Sequence, residues 1–295
     1  MASRTVVIQH PARLKTEHER ICILTQEGES SIPLSDVSSV LIDDPQISIT
    51  SPLLSKCAES GIALFVCDRK HVPSGVFLPY NQYFQQKLRL DQQIAFPSVA
   101  AKSIWKRIVV QKIKNQSRCL LFQNHLSQAR ELLQLSTAVK NGDPDNIEAR
   151  AAAFYFRSLF GSSYTRDVPS AINASLNYGY TLLRGILART LTASGLQPAL
   201  GLHHCSQYNQ FNLADDMIEP FRPVVDHFVV RHSALGSALS SLDKQNLLQI
   251  LLLRMQIGRA SFVIDDACQI FCNSLGKCFE KRSSQISGLP VLIEN

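Results

Sequence analysis

The sequence has no apolar run approaching the ~18 residues that a membrane-spanning helix needs. Its first ten residues, MASRTVVIQH, lack the charged-then-apolar order of a secretory signal. A soluble, intracellular chain is therefore expected. None of the eight cysteines, at positions 22, 57, 67, 119, 205, 268, 272 and 278, forms a CxxC pair. That removes the close thiolate spacing of most zinc sites and points to reduced, mostly buried thiols. There is no G-x-x-x-x-G-K-[ST] loop to cradle nucleotide phosphates and no G-x-S-x-G nucleophile elbow. Tandem repeats and long low-complexity segments are also absent.

Acidic residues are scarce in one stretch. Between Gln85 and Arg130 the bases Lys87, Arg89, Lys102, Lys106, Arg107, Lys112, Lys114, Arg118 and Arg130 face Asp91 alone. The whole chain carries a net charge of only +6, so the distribution says more than the total. A one-sign segment suits phosphate contacts and counterion release; a solvated helix face would look the same.

What is present suggests an α+β chain of 295 residues, 45% of them apolar. A β-rich region over 1–80 is followed by an all-helical region over 81–295. RTVVIQ (4–9), RICILT (20–25), VSSVLI (37–42) and IALFVC (62–67) are short, β-branched and bounded by Gly, Pro and Asp. SPLLSKCAES (51–60) reads as one helix capped by Thr50 or Ser51, and 71–80 turns and extends. From residue 81 the apolar spacing becomes three and four, predicting helices near 84–95, 98–139 with a break, 146–160, 170–194, 212–232, 243–258 and 261–280. The tail SQISGLPVLIEN suggests no role.

Three blocks concentrate reactive side chains. In GDPDNIEARAAAFYFRSLFG (142–161), Asp145 and Glu148 have capping-box spacing, so Glu148 is either a functional carboxylate or a helix cap. In GLHHCSQYNQFNLADDMIEPFRPVVD (201–226), His203 and His204 follow a glycine, and Asp216 and Glu219 share a helix face. Pro220 should end or kink that helix at Glu219; a network with Arg222 and Asp226 is the structural alternative. In the third block, Asn173, Asn177, Tyr178 and Tyr180 interrupt an apolar helix, bracing a site or bonding helices together. One histidine and two or three carboxylates suit a hard divalent cation, Mg2+ or Mn2+, which can align and neutralise a phosphodiester.

IEARAAAFYFRSLFG, INASLNYGYTLLRGILAR and GLHHCSQYNQFNLADDMIEPFRPVVDHF, in that order, resemble the CRISPR adaptation integrase family (Cas-one). RTVVI and FVCDRKHVPSGVFLPY extend the likeness to the N-terminal region, and the doubled histidine is most like the type II branch. The resemblance implies a metal site of Glu148, His204 and Glu219, with Asp216 a direct or water-bridged ligand and His203 flanking. It also implies an N-terminal dimerisation domain, a homodimer, and a heterohexamer with the small second adaptation protein. Type II relatives also work with the effector nuclease. The implied activity is insertion of new spacer DNA into a CRISPR array, by attack of a donor 3′-hydroxyl on a repeat phosphodiester. On this reading Lys87, Arg89, Lys102, Lys106, Arg107, Lys112 and Lys114 contact double-stranded DNA, and Asn173, Asn177 and Tyr178 support the site. A hydrolytic nuclease with the same residues and a non-catalytic DNA-binding scaffold are the rivals.

Overall fold

A computed structural model describes residues 4–68, 73–80, 85–232 and 240–294. The N-terminal part contains β1 (Arg4–Ile8), β2 (Arg13–Glu17), β3 (Arg20–Thr25), β4 (Gly28–Pro33), β5 (Val37–Ile42), β6 (Ser48–Ile49), α1 (Ser51–Glu59), β7 (Ala63–Cys67) and β8 (Pro73–Phe77). The four apolar segments expected as strands are β1, β3, β5 and β7, and α1 fills its expected span. Thr50 is the residue before α1, yet its hydroxyl makes no cap bond. β2 (RLKTE) and β4 (GESSIP) escape sequence reading because they are polar and largely exposed. Both are strands because they pair antiparallel with β3, for instance Leu14 with Ile23 and Ile21 with Ile32.

Two four-stranded sheets result, ordered β1-β5-β7-β8 and β4-β3-β2-β6. In the first, β1, β5 and β7 are parallel, and all six residues of β5 are buried. A strand covered on both faces needs such a continuous apolar run rather than alternation.

The helices are α2 (Gln86–Ile94), α3 (Ser98–Phe122), α4 (Leu126–Thr137), α5 (Ile147–Phe160), α6 (Ala171–Ala193), α7 (Asn212–Met217), α8 (Arg222–His232), α9 (Ser241–Leu248) and α10 (Ile264–Lys281). The break expected within 98–139 is real: Asn124 takes a left-handed φ of 64° between α3 and α4. The interruption expected near Pro220 separates α7 from α8. The junction at residue 81, the start of the helix near 84, and residues 71–72 lie outside the described residues.

The C-terminal part is not all-helical, which corrects the sequence reading. The helix expected over 243–258 stops at Leu248, and β9 (Arg254–Ile257) and β10 (Ala260–Val263) form a hairpin, joined by β11 (Val291–Leu292) from the tail. Ile257 pairs with Ala260 across Gly258-Arg259, and Gly258 has φ 63°. A two-residue loop with glycine first is the hairpin signal that four-residue strands were too short to reinforce. The tail therefore has a place. Asn115 of α3 donates to Pro220 O (2.7 Å) and Pro290 O (2.9 Å) and accepts from Leu292 N (3.0 Å). One buried amide thus fixes both the tail and the chain next to Glu219.

The two parts are joined by close packing of β7 on α6. A Cβ at Gly185 would lie 1.7 Å from the Phe65 ring. Only glycine lets the ring approach this helix so closely, so the parallel sheet is seated on α6 rather than tethered to it.

Candidate metal centre

Glu148 is the second residue of α5. The cap that opens this helix is Asp143, whose carboxylate accepts from Ile147 N (3.0 Å) and Glu148 N (2.9 Å). Asp145 instead pairs with Lys140 at 2.7 Å. The capping-box alternative is therefore set aside, and the Glu148 side chain is turned to other work. Its Oε1 accepts from Lys112 Nζ at 2.6 Å.

Lys112 projects from the middle of α3 and is 7% exposed. Its ammonium also lies 2.5 Å from Glu219 Oε2, and Arg222 Nε donates to Glu219 Oε1 at 2.9 Å. Each oxygen of Glu219 therefore faces one cation. Burial opposes ionisation of Glu219, but Arg222 and Lys112 outweigh it and hold the carboxyl down at about 2. Burial likewise opposes the charge on Lys112, and Glu219 and Glu148 raise its pKa above the usual lysine range. The Arg222 guanidinium, 4.7 Å over the Tyr180 ring, completes a row of alternating charge.

His204 comes from the loop between α6 and α7. Its Nδ1 is 2.7 Å from Asp216 Oδ1, which leaves Nε2 without a protein partner among the described residues. Asp216 is fully buried; it also accepts from Leu202 N (2.6 Å), His203 N (3.0 Å) and His204 N (3.2 Å). The Asp216 hydrogen bond, the largest influence on the imidazole, raises its pKa, against the opposing effect of burial. Gly201 permits the wrap: a Cβ there would be 2.2 Å from His204 O and 2.9 Å from Asp216 Oδ2. Trp105, two turns before Lys112 on α3, stacks on His203 at 4.3 Å and meets His204 edge-on at 5.8 Å. One helix therefore supplies both the ammonium and the ring that steadies the histidine loop.

Glu148, Glu219 and His204 thus offer two carboxylates and a free imidazole nitrogen, a donor set that fits Mg2+ or Mn2+. Their ligand atoms do not all lie within 4.8 Å of one another; among the described residues only Glu17, Cys22 and Glu29 do. Lys112 stands between the two carboxylates, at 2.6 and 2.5 Å from them. A cavity of about 520 Å3 adjoins the histidine, lined by Gln93, Phe96, Leu200, His204 and Asn212 among others.

Other expectations fare differently. Both oxygens of Asp216 are engaged by the histidine loop, so it holds His204 instead of presenting an open ligand atom. Lys112 is buried between carboxylates and is not on a DNA-facing surface. Arg89 is tied to Gly276 O at 3.1 Å and Glu280 at 3.4 Å, Arg107 to Gln285 at 2.9 Å, and Lys87 to Asp91 at 2.6 Å. Lys102 and Lys114 are exposed and Lys106 half-buried, with no side-chain partner among the described residues. Asn173 and Asn177 do not touch the site: both accept from Arg166, at 2.8 and 2.6 Å, and fix the loop before α6. Tyr178 is in the core with its hydroxyl unpaired. Sequence reading assigned Lys112 to DNA rather than to this site and missed Trp105; a basic and an aromatic residue seven apart on one predicted helix was the available signal.

The fold matches a casposase bound to integration product (TM-score 0.79, 15% identity, 97% of this chain and 93% of that one). It also matches a Cas1 protein from Thermotoga maritima (TM-score 0.77, 19% identity, 99% and 100%). These define the architectural class. The family profile described as CRISPR associated protein Cas1 matches residues 5–240. The CRISPR-associated endonuclease Cas1 of Neisseria meningitidis serogroup C (strain 8013) is 41% identical over 266 residues, covering 89% of this chain and 87% of the relative. The Francisella tularensis subsp. novicida (strain U112) endonuclease Cas1 1 is 26% identical over 247 residues, 77% of each. The chain belongs to the CRISPR-associated Cas1 family. No helix among the described residues is long and apolar enough to cross a membrane.

Proposed function

We propose that this chain is a divalent-cation-dependent DNA integrase that inserts spacers into a CRISPR array. The observation that carries the reading is the meeting of Glu148 and Glu219, 71 residues apart in sequence, on opposite sides of one positive charge. Family membership supplies the substrate class. When bound, Mg2+ or Mn2+ would neutralise the phosphodiester and make a hydroxyl a better nucleophile.

The protein's own groups do the rest. Glu148 and Glu219 supply the oxygen ligands and His204 Nε2 the nitrogen. Asp216 fixes the imidazole tautomer by accepting a hydrogen bond from Nδ1–H, as outer partners of metal-bound histidines do. Arg222 holds Glu219 ionised and aligned. The donor 3′-oxygen forms a new bond to a repeat phosphorus as the bond to the departing repeat oxygen breaks. The proton lost from the donor hydroxyl ends on the departing oxygen or solvent. One phosphodiester replaces another, so no high-energy cofactor is consumed. Such chemistry needs positioning and charge stabilisation rather than a protein nucleophile.

Double-stranded DNA, both protospacer and repeat, would lie along α3, where Lys102, Lys106 and Lys114 are cations without a side-chain partner among the described residues; phosphate contacts there give affinity without sequence reading. The partners on this reading are a second copy of the chain and the small second adaptation protein, in a heterohexamer, with the effector nuclease as a further associate. Cas1 occurs in solved Cas6-RT-Cas1–Cas2 complexes, which supports the second-protein assignment. The setting is the prokaryotic cytoplasm.

The test combines the chain and its small partner protein with a 3′-hydroxyl duplex and a supercoiled plasmid carrying a repeat. Covalent donor–plasmid joints are expected with Mn2+, and none with chelator, a 3′-dideoxy donor or His204→Ala. Nicking that persists with the dideoxy donor but not in His204→Ala would make the chain a hydrolytic nuclease. DNA binding without any chemistry would make it a scaffold.

A further inference from the structure

Lys112 is a full positive charge placed where the reading above puts a metal ion. Its Nζ is 2.6 Å from Glu148 Oε1 and 2.5 Å from Glu219 Oε2, and its side chain is 9% exposed. Counted with Arg222, the cluster holds two negative and two positive charges and is neutral. A dication bridging the same two carboxylates at about 2.1 Å from each would overlap the volume of the ammonium. Two cations forced within about 4 Å of each other also repel by several kcal/mol even with substantial dielectric relief. Both cannot occupy the carboxylate pair together. Arg222 is not the competitor, because it engages Glu219 through Oε1, whereas Lys112 faces Oε2 and also reaches Glu148.

We infer that Lys112 is a built-in placeholder: its ammonium and the divalent cation are alternative occupants of the Glu148–Glu219 pair, and loading the metal requires the lysine to withdraw. This inference rests on the metal reading of the site. The placeholder keeps the half-buried Glu148 and the buried Glu219 from facing each other without a cation between them in the metal-free protein. It also lowers apparent metal affinity, since each binding event must displace an ion pair. Its flexible four-carbon stem lets the charge leave without moving α3, a freedom that the planar, bidentate guanidinium of arginine would not share.

The test is calorimetric titration of Mn2+ into the full chain, with thermal melts with and without Mn2+. Lys112→Met is expected to bind Mn2+ about tenfold tighter or more than the unmodified chain. It should melt lower without metal and gain more from it. Lys112→Arg should bind no tighter than the unmodified chain. If Lys112→Met unfolds without metal, restoration of a cooperative melt by Mn2+ is the expected result, and failure of Mn2+ to restore it overturns the inference. Unchanged or weaker Mn2+ binding by folded Lys112→Met also overturns it, leaving the metal reading intact provided Glu148→Ala abolishes binding. No saturable binding by the unmodified chain, or binding untouched by Glu148→Ala, overturns the metal reading and the inference with it.

Discussion

A lysine set between two glutamates recurs in the molecule, in surroundings that differ sharply. In the N-terminal sheet Lys15 stands between Glu17 (2.8 Å) and Glu29 (3.7 Å). In the helical part Lys112 stands between Glu148 (2.6 Å) and Glu219 (2.5 Å). Glu17 and Glu29 are each 51% exposed, whereas Glu219 is 6% exposed. Water screens the first cluster, and its long side chains gain little from being held together. In the second, removing one partner leaves a charge stranded away from water, which is costly. The ligand-atom distances favour the sheet cluster as a metal site, since Glu17, Cys22 and Glu29 converge more tightly. Physical context favours the other. A buried carboxylate fixed by Arg222, a half-buried one beside it and an imidazole held by Asp216 are prepared to bind an ion; exposed ones on a strand surface are not.

Substitutions should separate the two clusters. Glu148→Ala or Glu219→Gln should lower Mn2+ affinity and donor joining by about 100-fold or more, beyond the effect expected of an outer partner. Calorimetry and the plasmid assay check this. The matching change in the sheet cluster, Glu17→Gln, should alter neither. Asp216→Asn removes the charge that orients His204 and should cost roughly 10–100-fold in metal affinity.

Asp226 extends the contrast to a buried carboxylate that no cation among the described residues touches directly. Glu219 is held at about 2, whereas burial pushes Asp226 up to about 6, against the partial relief of its hydrogen bond from Tyr180 and the charges of Arg166 and Arg222. A carboxyl whose folded pKa lies above its unfolded value of about 3.9 destabilises the fold once ionised. That cost is present above pH 6 and disappears as pH falls from about 6 to 4. Asp226→Asn should therefore be more stable than the unmodified chain at pH 8, by about 1–3 kcal/mol, and lose that advantage near pH 4, as read by denaturant unfolding.

The smallest expected effect lies on the outer face of α3. Neutralising Lys102 and Lys106 together should weaken DNA binding without touching Mn2+ affinity. Each DNA phosphate left without its lysine should reduce the slope of log affinity against log salt by about 0.9, measured by fluorescence anisotropy.

Much of this could be read from residues alone, and the failures share a cause. The strands of the parallel sheet declared themselves because VSSVLI and IALFVC are rich in apolar, β-branched residues. β2 and β4 did not, because their reason for being strands is the neighbour β3. Glu148 and Asp145 had the spacing of a cap, and only the left-handed turn at Asn146, φ 49°, shows that Asp143 is the residue that reaches the helix. The run of bases on α3 read as one positive surface, yet Lys112 points inward to neutralise carboxylates from α5 and the α7–α8 junction. A helical period says which residues share a face; it does not say what that face meets. Asp216 and Glu219 looked equivalent, three residues apart. Their roles diverge because one faces three backbone N–H groups and the other faces two cations.

The decisive experiment is a crystal grown with Mn2+ and its anomalous scattering map. A peak bonded to Glu148, Glu219 and His204 Nε2 is expected, with the Lys112 ammonium withdrawn from both carboxylates. A peak at Glu17 and Glu29 instead, or Lys112 unmoved and no peak between Glu148 and Glu219, would contradict the placement of the metal centre.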